Sequence, residues 1–153
     1  MQPKSRPRTF VLSMETLPLD SIRHFFAKPE PEHFRSLCSV LVAMAQAGRE
    51  DALTLLLGLA YRNRNDVARM LLLVYTARGF RHPEVVALLA SEFTRVPSQP
   101  SSRTYLTTIL DSLEAAHTPE SWHALLDLAH HPHVGSRYRQ RIRQYLESVS
   151  PPE

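Results

Sequence analysis

Apolar residues recur along this chain every three or four positions, in stretches separated by proline, glycine or short polar runs. That spacing collects them on one face of an α-helix. The pattern predicts helices over 19–27, 31–46, 50–61, 65–78, 83–95, 101–116, 119–130 and 135–148. No stretch sustains the period-2 alternation of a half-buried strand between turn signals. The twelve prolines lie where helices should begin or stop, and there are only four glycines. Thr118, Pro119 and Glu120 give a capping hydroxyl, a proline at the first helical position and an acid in the first turn. Pro83 with Glu84 and Pro31 with Glu32 repeat part of that signature. In 135–148, Tyr138, Ile142, Tyr145 and Leu146, with Val149 just beyond, fall in one stripe at about 100° per residue, leaving the other face for water.

Aligning Gly48, Gly79 and His117 exposes an internal repeat. Seven and eight residues before them stand Leu41 and Val40, Leu72 and Leu71, and Leu110 and Ile109; four before stand Met44, Tyr75 and Leu113. After each turn the next helix brings a leucine pair: Leu55 and Leu56, Leu88 and Leu89, Leu125 and Leu126. The second turn follows the first by 31 residues and the third follows the second by 38, so the array is irregular.

These hairpins resemble the helical-hairpin repeat families. Residues 34–56, above all Ala45, Gln46, Ala47, Gly48, Arg49, Glu50, Asp51, Ala52 and Leu53, are most similar to pentatricopeptide and tetratricopeptide repeats. Residues 103–126 look like a weaker copy, and 122–149 reads equally well as a HEAT-like unit. The resemblance implies an all-α fold: a short right-handed alpha-alpha superhelix of about eight helices in antiparallel hairpins, or its closure into a compact bundle. It also implies binding as the function. Pentatricopeptide repeats read bases with a polar residue early in the first helix, but Cys38 and Ser39, Arg69 and Met70, and Thr107 and Thr108 form no consistent pattern there.

A single hairpin cannot bury its own apolar stripe, so neighbours must share a core and terminal units must seal it. Phe25, Phe26 and Phe34 are placed to seal the front. The division expected is a flexible basic segment over 1–17, one helical-repeat domain over 18–149 and a tail over 150–153. A length of 153 residues with 43% hydrophobic and 22% charged residues suits one such domain. The longest apolar run, 70–75, is far short of the ~20 residues of a membrane span, so no membrane association is expected. Residues 1–14 carry Lys4, Arg6 and Arg8 without an acid. The apolar stretch there is too brief for secretion, and Pro3 and Pro7 interrupt the amphipathic helix of an organellar presequence. A cytoplasmic location is expected, with an organellar matrix as the alternative.

Net charge is only +3, so its distribution says more than its size. Residues 52–103 hold seven arginines against Asp66, Glu84 and Glu92; 104–133 hold four acids and no Lys or Arg; 134–149 hold four arginines against Glu147. Such blocks would give successive hairpins differently charged faces. Arg137 and Arg141 share one flank of their helix, and Arg139 and Arg143 the other.

Chemistry is scarce. His123, Asp127 and His130, spaced i, i+4, i+7, share a helix face and are the one candidate metal set, but a polar helix face accounts for them without a metal. Cys38, among apolar neighbours, reads as an inert core thiol. Trp122 reads as core, or, if exposed, as an interaction anchor. No Walker loop, Rossmann glycine set or nucleophile elbow is present. The expectation is therefore a non-catalytic protein-protein interaction module without cofactor, metal or small-molecule substrate. The alternative is a helical repeat binding RNA or DNA through Arg62, Arg64, Arg69, Arg78, Arg81, Arg137 and Arg141.

Overall fold

Proline and left-handed turn residues cut the chain into short rods. A computed structural model describes residues 31–153 as all-α: seven α-helices, one 3-10 turn and, among the described residues, no strand. The helices are α1 Pro31–Gln46, α2 Glu50–Arg62, α3 Val67–Thr76, α4 Pro83–Arg95, α5 Arg103–Ala116, α6 Pro119–Ala129 and α7 Ser136–Ser148, with the 3-10 turn Pro100–Ser102 leading into α5. The helix expected over 19–27, the segment 1–17, and Phe25 and Phe26 lie outside the described residues. Two compact units divide after Arg62.

In the first unit, α1 packs on α2. Phe34, Leu37, Cys38, Leu41 and Met44 bury one stripe of α1, and Ala52, Leu53, Leu56, Leu59 and Ala60 bury one stripe of α2. The turn between them is a Schellman closure. Gly48 N–H donates to the Ala45 carbonyl (3.0 Å) and Arg49 N–H to the Met44 carbonyl (3.0 Å). The geometry needs a left-handed residue, and Gly48 supplies it at φ 98°.

In the second unit, α3 packs chiefly against α5, α4 against α6, and α6 against α7, while α3 and α4 make little contact with each other. Alternate helices thus stack on alternate helices. Gly79 (φ 75°) turns the chain from α3 toward α4, and its N–H donates to Ser112 Oγ on α5 (2.9 Å), tying the turn to the next layer. His117, closing α5, is left-handed too at φ 47°, and is the one described non-glycine residue with positive φ. The three positions aligned in the sequence are therefore the three left-handed turns among the described residues.

The core follows the leucine register only in part. Leu41, Ile109, Leu110, Leu113, Leu56, Leu89 and Leu125 are buried as the alignment predicts. Val40 and Tyr75 are exposed, and Leu71 and Leu72 are half-buried. The reason lies in α3, whose buried stripe is Met70, Leu73, Val74 and, just past its end, Ala77. These stand at i, i+3, i+4 and i+7, a face rotated from the one the alignment assigned. In α7 only Ile142 is fully buried, while Tyr138 packs edge-on against Phe93 of α4 with ring centroids 5.3 Å apart.

Candidate interaction surfaces

Helix α6 begins with the cap predicted for it. Thr118 Oγ1 accepts from Ser121 N–H (3.1 Å) and Ser121 Oγ accepts from Thr118 N–H (2.8 Å), which fixes where the helix starts. That start sets His123 and Asp127 beside α4, where an open groove of about 510 Å³ runs between the two helices. Its floor is Val86 and Leu128, both buried, with the small residues Ala87, Ala90 and Ala124 beside them. Glu120, His123, Asp127 and His131 form a polar rim with net acidic character.

The metal candidates part company here. His123 and Asp127 rim the groove, but His130 lies outside its lining, with Nδ1 on the Leu126 carbonyl at 2.9 Å. Among the described residues no group of three His, Cys, Asp or Glu is placed to hold a metal ion. Burial pushes the Cys38 thiol up to about 12, so it stays protonated at neutral pH.

A second cavity, of about 540 Å³, opens where the 3-10 turn, the first turns of α5 and the start of α7 meet. Arg103, Arg137 and Arg141 line it with Ser98, Gln99 and Thr107. Arg137 and Arg141 share a helix flank, as their spacing requires; Arg143, on the other flank, reaches the Ala129 carbonyl instead (3.4 Å). Arg141 is also tied to α5, with Nη2 2.6 Å from Asp111 and 3.0 Å from Glu114. Burial alone would ease its proton off, but the hydrogen bonds it donates to Glu114 and Asp111 outweigh that and hold the guanidinium charged.

The other arginines of the proposed basic surface are dispersed. Arg64 sits 3.6 Å from Glu92 and Arg69 3.6 Å from Asp66, while Arg78 and Arg81 are exposed around the turn after α3. Arg62, also exposed, ends α2 in the first unit. Sequence reasoning missed the partner of Arg64: Glu92 is wholly buried, accepting from Arg95 at 2.7 Å and from the Tyr105 hydroxyl at 2.8 Å. Trp122 is half-buried rather than core, in a ring cluster with His117 and Tyr145. Tyr145 donates its hydroxyl to the Glu114 carbonyl (3.1 Å), which leaves its oxygen to accept from His117 Nδ1–H (3.3 Å).

No family model, curated protein or solved structure matches the chain. Among the described residues, no helix is long and apolar enough to cross a membrane.

Proposed function

We propose that the chain is a non-catalytic protein-protein interaction module, an adaptor or scaffold of stacked helical hairpins. The groove between α4 and α6 carries this reading, with its apolar floor, small residues at the contact line and acidic rim. Small side chains let a third helix approach closely, and buried apolar area supplies the affinity. The occupant that fits is an amphipathic helix of another protein, with its apolar stripe against Pro83, Ala87, Ala90 and Ala124 and basic residues meeting Glu120 and Asp127. The packing of α3 on α5 and of α4 on α6, with α5 against α6, supports helices stacked in layers, although α3 and α4 do not pack as a hairpin. Binding of RNA or DNA is less well supported, because Arg64, Arg69 and Arg141 already face carboxylates and a phosphate backbone would have to compete for them.

The test is affinity capture from the native cell, comparing the unaltered chain with Ala90→Trp, which fills the groove, after circular dichroism has verified its helicity. A defined protein should be retained by the unaltered chain and reduced about tenfold by Ala90→Trp, equivalent to about 1.4 kcal/mol. Equal retention by both, or retention of nucleic acid in place of protein, overturns the reading.

A further inference from the structure

The arginine-lined cavity is independent of the groove and has its own chemistry. Arg103, Arg137 and Arg141 line it, together with Ser98, Gln99, Thr107 and Ser136, and no acidic residue does. Asp111 and Glu114 bind Arg141 without joining the lining, and its Nη1 takes no part in either ion pair. Arg103 and Arg137 are exposed and form no ion pair with any described residue, so two uncompensated positive residues stand at one cavity. Gly135 adds to the field because it opens α7 at the cavity wall without a side chain to cap the first-turn N–H groups.

From this we infer that the cavity binds the phosphoryl group of a phosphate monoester. A dianion matches the two uncompensated guanidinium groups, each able to grip two oxygens, while Arg141, its charge already met by Asp111 and Glu114, is held as part of the wall. The bounded shape suits one phosphoryl group with a small carrier rather than a continuous backbone, and a volume of about 540 Å³ is in the range of ligand pockets. Tyr138 and Pro100 supply the apolar wall against which the carrier rests.

The experiment is calorimetric titration of the whole chain in chloride buffer with inorganic phosphate, then glycerol phosphate, then a phosphoserine peptide. Saturable binding is expected, tighter at about pH 7.5 than at about pH 5.5 because the second phosphate proton leaves near pH 6. The Arg103→Ala/Arg137→Ala double variant should bind about tenfold more weakly or worse, with its melting temperature in phosphate-free buffer unchanged. Tighter binding of glycerol phosphate identifies a free small ligand, and tighter binding of the peptide identifies a phosphorylated side chain; both support the site. No saturable binding of any monoester, undiminished binding by the double variant, or displacement of phosphate by single-stranded RNA at lower phosphate-equivalent concentration overturns it. None of these results bears on Ala90, so the groove and the cavity succeed or fail separately.

Discussion

Glu92 shows at the scale of one residue how a buried charge is held. Burial works against its ionisation, but hydrogen bonds from Arg95 and Tyr105 and the nearby charges of Arg95 and Arg64 outweigh it, and its pKa lies below the ordinary glutamate value. Burial, reinforced by the hydrogen bond to Glu92, in turn raises the Tyr105 hydroxyl and keeps it a donor. As pH falls, the unfolded chain takes up the Glu92 proton before the folded chain does. The stability this group contributes is therefore present at neutral pH and fades below about pH 4. Glu92→Gln should lose about 1 to 3 kcal/mol at pH 7, because it weakens the charge-assisted hydrogen bond from Arg95 while the part-exposed Arg95 and Arg64 remain solvated. Its urea stability should also fall less steeply than that of the unaltered chain between about pH 5 and 3. Parallel pH profiles for the two proteins would show that Glu92 carries no such linkage. Glu92 was legible in the sequence only as an acid in an arginine-rich block; its burial depends on Tyr105, which lies on a different helix.

At the scale of elements, the turns decide the register. Gly48 and Gly79 adopt left-handed backbone at little cost, whereas His117 bears a strain of about 1 kcal/mol that its contacts with Tyr145 and Trp122 offset. His117→Ala keeps the strain and loses the contacts, so it should destabilise by about 1 to 2 kcal/mol, while His117→Gly should recover about half of that. Urea denaturation of the three proteins checks this order, and a glycine variant less stable than the alanine variant would contradict it. The turns and most helix limits could be read from the sequence because proline, glycine and capping hydroxyls act on their immediate neighbours. The burial of α3 could not. Residues 70–75 are apolar without a break, so periodicity alone could not choose between the face of Met70, Leu73 and Val74 and the face of Leu71, Leu72 and Tyr75.

At the scale of the molecule, function rests on what adjacent elements make between them. Sequence spacing put His123 and Asp127 on one face of α6 but could not supply Val86, Ala87 and Ala90, which reach the same groove from α4. Arg137 and Arg141 were likewise visible as a pair, while Arg103, the third wall of their cavity, belongs to α5. Both surfaces lie in the second unit, where alternate helices stack and leave furrows between them. The reading as an interaction module therefore makes a local demand: a protein partner must touch the α4–α6 furrow. Placing a photoreactive benzoylphenylalanine at the exposed rim position of His123, and separately at the exposed position of Arg35 as a control, tests it in the native cell by mass spectrometry of the adducts. The account predicts one discrete protein adduct at position 123, absent at position 35, joined through a helical segment with a basic flank. An adduct to RNA, the same adducts at both positions, or none at position 123 would contradict it.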